Sequence, residues 1–489
     1  MEPLFELPIR LPTRGSHRIL QALHQQLRAA IVDGRLRPGL RLPSTRALAA
    51  TYSISRNTAV AAYDLLLSEG YVSMRQGSGC YIAQALSRPA KGRARTDKSA
   101  ADRRLSSFWR GRRARRPPAP AESLPYSFRC GVPDTGLFPY DIWRRLSNRA
   151  LRSLSKFEAS RDPQGLPALR AAIAKHVSVS RAVACRPEDV LVTSGAQQAF
   201  DLLARVLVTG RHTTVAVENP SYPPMRAVFQ AAGAKLLPIP VDNDGMLVDQ
   251  LTSQARVVCV TPSHQFPLGS AMSMTRRMAL LEFARKNDAV VIEDDYDCEF
   301  RFDGRPLDAL QTIDRHESVF YVGTFSKSMF PQIRLGFIVA PPWALEALIA
   351  AKQDSDLLSP FLNQHALAAF IAEGHLARHI RKMRSIYGQR RRRLLDGLQQ
   401  DFSRWLSPVP SFAGLHVAAL LRNPEDAEEV VKRAGDHGVG LGSVGRYCLG
   451  RPDTQGLVFG YGVIAEQAIV GGLSELRRVW RPSRLAASQ

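Results

Sequence analysis

The sequence contains few cysteines and no closely spaced pair of them. Six are scattered through 489 residues, at Cys80, Cys130, Cys185, Cys259, Cys298 and Cys448. Zinc sites and the disulfide frameworks of small secreted domains depend on clustered cysteines, so this distribution argues against both. We therefore expect no metal site, and we expect the protein to reside in a reducing cytoplasm.

Long apolar runs are also missing. No stretch of about 18 apolar residues occurs, and the N-terminus has Glu2 and Glu6 where an exported protein has an apolar signal region. The sequence therefore predicts a soluble protein without a membrane-spanning helix and without export.

Acidic residues are outnumbered by basic ones. The 44 Asp and Glu residues face 66 Lys and Arg residues, which gives a formal net charge of +22. Lys and Arg gain affinity for nucleic acids by releasing counterions from phosphates, so the excess indicates a polyanionic partner. Charge alone does not distinguish DNA from RNA or from an anionic membrane.

A basic segment divides the sequence. Residues 87–122 are rich in Arg, Lys, Ala, Ser and Pro and poor in large apolar residues, which is typical of a flexible linker. Its basic residues could contact DNA non-specifically or simply keep a tether soluble. Since 489 residues exceed what one core usually supports, we predict a compact domain over 12–86, this linker, and a larger domain over 123–484.

The compact N-terminal segment has the pattern of a helix-turn-helix. Apolar residues recur at helical spacing over 19–32 and predict a first helix. A second helix is predicted to run to residue 50 with Ser44 or Thr45 as its N-cap, and a third to begin at Arg56. On spacing alone, a three-helix module that binds another protein remains the alternative.

The third helix and the hairpin after it hold candidate DNA contacts. The first residues of a recognition helix face base edges in the major groove, and the preceding helix meets bases or backbone. The candidates on these helices are Arg56, Asn57 and Thr58, together with Ser44, Thr45 and Arg46. Tyr71–Tyr81 is interpreted as a strand, a turn and a second strand, a wing that carries Arg75 and, in its turn, Gly77.

The order of short motifs in this segment resembles the GntR-type winged helix. L-P-S-x-R, S-R-N-T, L-x-x-E-G-Y and G-S-G follow one another between residues 42 and 79. The resemblance implies a winged helix-turn-helix whose partner is double-stranded operator DNA.

The C-terminal segment alternates strand-like apolar runs with helical patterns, which is typical of an α/β domain with a largely parallel sheet. Each predicted strand is followed by turn residues and then by a helical stretch. The predicted strands are Val190–Thr193, Thr214–Val217, Val257–Thr261, Val290–Glu293 and Val319–Val322.

Residues at the ends of these strands suit a pyridoxal phosphate site. Such a site needs a lysine for the Schiff base, a carboxylate opposite the pyridinium nitrogen, a phosphate cradle and usually a stacked ring. Lys327 follows a predicted strand, where a turn would present it at the carboxyl edge of the sheet. Thr324 and Ser326 add hydroxyls beside it, and Arg334 adds a cation seven residues on.

The other parts of the site also have candidates. Asp294 would hold the pyridinium proton, Tyr296 would bond the 3′-oxygen, and Tyr222 would stack on the ring. Backbone N–H groups at a helix N-terminus bind phosphate, and the turn before one predicted helix consists of Ser194, Gly195, Ala196 and Gln197. Taken singly, each of these signals is weak.

Their order and spacing resemble fold-type I, class I aminotransferases over Tyr126–Arg484. The match is closest to the aminotransferase-like half of MocR-type transcriptional regulators, as seen in DPQGLPALR, TPSHQFPLG, EDDYDCEFR and GTFSKSMFPQIRLGF. The resemblance implies a multidomain regulator with a winged helix-turn-helix and an α/β fold-type I domain that binds pyridoxal 5′-phosphate. It further implies a domain-swapped homodimer that senses a small amine or amino acid, or the cofactor itself, through aldimine exchange at Lys327.

Three positions depart from working aminotransferases. In aminotransferases an asparagine forms a hydrogen bond to the 3′-oxygen of the cofactor, and the matching residue here is Phe266. His264 or Gln265 could supply this hydrogen bond instead. The strand that carries their carboxylate-binding arginine has none here, and Arg446 is the nearest replacement for binding an effector carboxylate. A Tyr near the D-P-x-G element is Ser160. A true aminotransferase is the alternative, as is a domain without cofactor, but the departures favour a regulator with at most a slow half-transamination.

Overall fold

The computed structural model describes residues 7–12, 18–75, 79–83, 104–110, 112, 124–153, 162–303, 307–423, 425–452 and 454–480. These residues belong to two compact units, one within 1–114 and the other within 115–489. The division lies inside the predicted linker, of which 104–110 and 112 are described.

Three helices and a hairpin make up the first unit: α1 (Ile19–Val32), α2 (Thr45–Thr51), α3 (Arg56–Ser68), β1 (Val72–Arg75) and β2 (Gly79–Ile82). The first helix has the predicted bounds. Ser44 caps α2 by accepting a hydrogen bond from the Ala47 N–H at 3.1 Å, and Ser55 caps α3 by accepting one from the Thr58 N–H at 3.0 Å. The two caps set where the helices begin, as Ser side chains at N-caps do.

The apolar faces of the three helices form the core of this unit. Leu23 and Leu27 of α1, Leu48 of α2 and Leu66 of α3 are fully buried. The strands β1 and β2 are antiparallel, with Val72 opposite Ile82. The predicted turn residue Gly77 lies outside the described residues.

The second unit begins with β3 and two helices and then alternates strands and helices. Its first elements are β3 (Tyr126–Ser127), α4 (Tyr140–Ser153), α5 (Pro167–Arg181), β4 (Val190–Thr193), α6 (Ala196–Leu207), β5 (Thr214–Asn219), α7 (Pro223–Ala231), β6 (Lys235–Asp242), β7 (Gly245–Met246), β8 (Ala255–Val260), α8 (Met274–Asn287), β9 (Val290–Asp295), α9 (Leu310–Ile313), β10 (Val319–Thr324) and β11 (Gly336–Val339).

The chain then passes through three helices into a smaller sheet. These elements are α10 (Pro342–Asp356), α11 (Phe361–Ala372), α12 (His375–Asp401), β12 (Leu406–Pro408), β13 (His416–Leu421), α13 (Ala427–Asp436), β14 (Val439–Gly440), β15 (Gly442–Ser443), β16 (Gly456–Gly460) and α14 (Glu466–Leu476).

The main sheet has the order β4-β11-β10-β9-β8-β5-β6-β7. Strands β10, β9, β8, β5 and β6 pair in parallel, while β11 runs antiparallel to both of its neighbours. A second, antiparallel sheet has the order β12-β13-β16-β15. The α/β architecture with a largely parallel sheet is therefore confirmed.

Three strand predictions need correction. β9 continues through Asp295, so Asp294 lies inside the strand and not after it, because Asp294 and Asp295 pair with Val322 and Gly323 of β10. β8 ends at Val260, which leaves Thr261 in the following loop. β10 is followed by β11 and not by a helix, and the connection contains only a short 3-10 helix. A crossover helix is usually needed only between parallel strands, and β11 runs antiparallel to β10.

All six cysteines are free thiols. Among the described residues, no helix combines the length and the apolar character needed to cross a membrane.

Candidate cofactor and nucleic-acid sites

The first turn of α3 presents two exposed side chains. Arg56 and Asn57 are exposed, whereas Thr58 is partly buried and its hydroxyl lies 2.8 Å from that of Ser55. Arg56 and Asn57 are therefore free of the cap, and Thr58 is part of it. On α2, the Ser44 hydroxyl is likewise occupied by capping, Thr45 is partly buried and Arg46 is exposed.

A second basic residue, from the segment before α2, lies against the wing that carries the predicted Arg75. The Arg75 guanidinium stacks over the Tyr81 ring at 4.7 Å. Arg41, which sequence reasoning missed, forms an isolated β-bridge with Tyr81 and lines a cleft of about 320 Å³ together with Ser44 and Thr45. The signal that could have found it is its place immediately before L-P-S-x-R in a winged-helix sequence.

In the second unit, most of the predicted cofactor residues surround one pocket of about 250 Å³. Those that line it are Ala196, Gln197, Tyr222, Asp294, Tyr296, Thr324, Ser326, Lys327 and Arg334. Gly131 and Phe266 also line it and were not proposed as cofactor contacts. The sheet edge gathers these residues because turns after β4 and β10 and the end of β9 meet at the same side.

Lys327 lines this pocket. Its Nζ donates a hydrogen bond to the Gly131 carbonyl at 2.6 Å. A side chain at position 131 would place Cβ 3.2 Å from Nζ, so a glycine permits this close approach. Burial lowers the pKa of Lys327, against the opposing effect of Cys130 and the nearby carboxylates. A lowered pKa raises the fraction of neutral, nucleophilic amine.

Asp294 is a buried carboxylate with an unsatisfied oxygen. Its Oδ1 has no hydrogen-bond partner among the described residues. Burial, reinforced by Asp295 and Asp297, raises the pKa of Asp294 to about 8. A buried acceptor without a donor is costly, and a pyridinium N–H is the donor that this oxygen lacks. This feature fits pyridoxal phosphate.

The opposite end of the pocket suits a phosphate. Gly195 caps α6 with a φ of 81°, and Ala196 and Gln197 begin the helix at the pocket wall. Arg334 donates to the Ser194 carbonyl at 2.7 Å, which holds its guanidinium beside this helix N-terminus. Helix N–H groups and a guanidinium together form a site for a dianion.

His264 fixes the position of the Tyr296 hydroxyl through two polar contacts. The tyrosine hydroxyl donates to the His264 carbonyl at 3.1 Å and lies 3.0 Å from Nδ1 of the same residue. That nitrogen is also 2.9 Å from an Asp297 oxygen, and Nε2 is 3.2 Å from the Ser411 hydroxyl. His264 is buried and does not line the pocket, so in this arrangement it acts on the site through Tyr296.

Phe266, which the family resemblance matches to the asparagine of aminotransferases, lines the pocket. Its ring meets Tyr222, Tyr296 and Tyr447 edge to face, with centroids 5.8, 5.8 and 4.9 Å away. Gln265 does not replace the missing amide, because its Nε2 donates to the carbonyls of Pro220 and Phe266. This wall of the pocket is therefore aromatic.

Arg446 is not among the residues that line the pocket. Its Nη2 lies 3.1 Å from an oxygen of Glu428, and about half of each side chain is exposed. The next residue, Tyr447, touches Phe266 at the pocket. The strand β16 is buried throughout and carries no arginine. Ser160 lies outside the described residues.

Comparison with known proteins agrees with both halves of this description. Residues 20–82 match the family of bacterial regulatory proteins named gntR, and residues 131–439 match aminotransferase class I and II. Over 459 residues the chain is 37% identical to the probable rhizopine catabolism regulatory protein MocR of Rhizobium meliloti, covering 93% of this chain and 92% of that protein. The chain belongs to the MocR-type transcriptional regulators.

Two further likenesses extend over most of this regulator. The pyridoxine biosynthesis transcriptional regulator PdxR of Corynebacterium glutamicum is 32% identical over 477 residues, covering 97% of this chain and 98% of that protein. Kynurenine aminotransferase of Pyrococcus horikoshii, solved in complex with PMP, superposes with a TM-score of 0.71 and 26% identity. That match covers 77% of the regulator and 96% of the enzyme chain.

The raised pKa of Asp294 predicts a pH dependence for the cofactor-free regulator. The ordinary pKa of an aspartate is 3.8, and burial in the folded protein raises the pKa of Asp294 to about 8. Between these values the unfolded state loses the proton first, so this group disfavours folding progressively as the pH rises. We expect the free energy of unfolding of Asp294→Asn, relative to that of the wild type, to be higher at pH 8 than at pH 5. Urea unfolding at both pH values measures this difference. Equal differences at the two pH values would contradict the prediction.

Proposed function

We propose that this regulator binds pyridoxal phosphate in the pocket around Lys327 and senses a small amine or amino acid there, which changes its action on operator DNA. The observation that carries the proposal is the unsatisfied, buried Asp294 carboxylate in one pocket with the Lys327 amine and the Arg334 guanidinium. When bound, pyridoxal phosphate supplies an electrophilic carbon that exchanges one amine for another.

Different residues of the pocket would bind different parts of pyridoxal phosphate. Asp294 would accept a hydrogen bond from the protonated pyridine nitrogen, and burial raises the pKa of its carboxyl to about 8. The start of α6 and Arg334 would bind the phosphate. If an effector amine displaced Lys327, the Gly131 carbonyl would accept a hydrogen bond from the freed Nζ. The ring of Tyr222 is the candidate for stacking.

The same pocket supports sensing better than turnover. Phe266 supplies no hydrogen bond where aminotransferases have an asparagine, and β16 supplies no cation for a substrate carboxylate. Fast transamination requires the substrate to be held within a narrow range of geometries, and a small misplacement costs much of the rate. Exchange of one amine for another needs less precise positioning of the substrate. The departures therefore favour a sensor of amines over an efficient aminotransferase.

Arg446 is our candidate for the effector carboxylate. It must first leave Glu428, and because both side chains are about half exposed, breaking this ion pair costs little. Glu428 therefore competes with the effector for the same guanidinium.

We expect Arg446→Ala to abolish the response to acidic amines without removing the cofactor, and Glu428→Gln to shift the response to lower effector concentrations. The measurement is the visible absorbance of the purified, cofactor-loaded regulator while amino acids, γ-aminobutyrate and taurine are added in turn. DNA binding by fluorescence anisotropy is followed in parallel. A spectral response that Arg446→Ala leaves intact would remove Arg446 from the site.

The aminotransferase alternative rests on the likeness to kynurenine aminotransferase and is tested in the same samples. Multiple turnover with any common amino acid and keto acid, at about 1 to 1,000 per second, would favour the enzyme over the sensor. The homodimer implied by the family resemblance stays a prediction, and it would present two winged helices to a two-part operator.

For DNA, we expect Arg56→Ala to weaken operator binding by about 1–3 kcal/mol, because an arginine at the start of a recognition helix bonds the edge of a guanine. Arg93→Ala in the linker is the matched control and should change operator preference little. Anisotropy titrations on operator and random duplexes distinguish the two roles. Equal losses on both duplexes for Arg56→Ala would make it a phosphate contact.

A further inference from the structure

A second cavity, of about 670 Å³, opens in the second unit between α5 and α12. The end of α11 and the segment Cys298–Arg301 after β9 complete its walls. It shares no lining residue with the pocket around Lys327. Nothing in the proposed function makes use of it.

Its walls are largely apolar because α5 faces α12 with small side chains. Ala168 and Ala172 lie on α5, and Ile371 and Ile380 lie across from them. Val179, on the same side of α5, is 83% exposed. Alanines at these positions leave room where larger side chains would close the space between the two helices. An apolar concave surface of this size accommodates an aliphatic or aromatic group.

Basic residues surround the apolar walls. Lys175 and Arg381 are exposed at the cavity. Arg384 donates to the Glu299 carbonyl through Nε and Nη2, at 3.2 and 3.0 Å. Arg301 is the most informative, since its Nε is buried and has no hydrogen-bond partner among the described residues. A buried guanidinium N–H without an acceptor is costly, and a carboxylate is its best acceptor.

The cavity has little negative charge to balance these cations. Glu299 is the one acidic residue among its described lining residues. Burial, with Asp295 nearby, raises the pKa of Glu299 to about 8, so this side chain is mostly neutral at pH 7. Burial lowers the pKa of His176 to about 4, so His176 is neutral as well. The lining therefore has more basic than acidic side chains, a balance that attracts anions.

We infer that this cavity binds a small amphipathic carboxylate, with its apolar part between α5 and α12 and its carboxylate at Arg301, Arg381 and Arg384. An inorganic anion would leave the apolar walls without a partner, and a neutral apolar molecule would leave Arg301 unsatisfied. The inference is independent of the cofactor and stands whether or not the proposed function holds.

The test is isothermal titration of the full-length regulator with octanoate and with 3-phenylpropionate. Octanol, which lacks the charge, and acetate, which lacks the apolar part, are the comparison compounds. We expect one site per chain for at least one of the two probes and weaker binding of both comparison compounds. Failure of both probes to bind, or equal binding of octanol, would overturn the inference.

Two variants with matched controls locate the site. Arg381→Glu should weaken binding of the probe by about tenfold, since a charge-assisted hydrogen bond is lost, while Arg393→Glu on the same helix should leave it unchanged. Ala172→Phe should fill the cavity and abolish binding, while Ala347→Phe on α10 should not. Circular dichroism verifies that each variant is folded.

The same variants expose the main competing explanation. If neither probe binds and Arg381→Glu or Ala172→Phe converts a dimer to a monomer in sedimentation velocity, the cavity is a contact between two copies of the chain and the inference is wrong. Equal weakening by Arg381→Glu and Arg393→Glu would also contradict it, because that result shows a general charge effect.

Discussion

Replacing Lys327 with alanine is expected to abolish covalent attachment of pyridoxal phosphate to the regulator while leaving operator binding of the cofactor-free protein unchanged. Lys327 is the one lysine among the described residues that line the pocket, and burial lowers its pKa. The winged helix belongs to a separate compact unit, so its fold does not depend on this side chain.

Borohydride reduction followed by peptide mapping measures this directly. In the wild type, the pyridoxyl group should be found on the peptide that contains Lys327, and the alanine variant should carry none. Lys286→Ala removes an exposed lysine on α8 and serves as the matched control, because it should label as the wild type does. A pyridoxyl group on a different lysine of the wild type would refute our assignment of the site.

The largest loss of stability is expected from Asp295→Asn. Arg181 Nε lies 2.7 Å from Asp295 Oδ2, the Tyr321 hydroxyl donates to the same oxygen at 2.6 Å, and both charged side chains are at most 4% exposed. Burial alone would raise the pKa of Asp295, but Arg181 and the surrounding donors hold it below its usual value. Removing the carboxylate leaves a buried guanidinium uncompensated, which costs about 3–5 kcal/mol.

Urea unfolding of the full chain tests this, with tryptophan fluorescence as the probe. Four of the five tryptophans, Trp143, Trp343, Trp405 and Trp480, lie in the second unit. Asp288→Asn is the matched control, since it breaks a pair with Arg256 in which the Asp288 side chain is 96% exposed. We expect little change there, because exposed pairs are weak. Similar losses in the two variants would show that burial does not govern the Arg181 pair.

The residues that line the pocket around Lys327 were predictable because they lie at or just after the carboxyl ends of strands in sequence. Residues 194–197 follow β4, Asp294 is the next-to-last residue of β9 and Lys327 follows β10, and the carboxyl ends of parallel strands meet at one edge. The helices of the first unit were predictable for a local reason, since apolar spacing and serine caps are sequence signals. β6 was not predicted, because Pro238 and Pro240 within it are atypical of strands.

Other features depend on contacts between distant parts of the chain. Lys327 donates a hydrogen bond to the Gly131 carbonyl, although the two residues are 196 positions apart in the sequence. Glu428 forms an ion pair with Arg446 because α13 packs beside the segment that contains Arg446. The role of His264 was expected at the cofactor, whereas the fold places it behind Tyr296. No periodicity or motif reports such pairings, because each depends on how separate elements pack.

The sequence by itself determined that this is a MocR-type regulator with a winged helix and an aminotransferase-like α/β domain, and it predicted Lys327 as the lysine that would bind the cofactor. These features depend on local patterns whose order along the chain carries the information. Only the tertiary structure decided that Asp294 lacks a partner, that Arg446 is held by Glu428 and that a cationic cavity separates α5 from α12. The physical reason is that burial, which sets pKa values and the cost of unpaired polar groups, arises from packing between segments that are far apart in the chain.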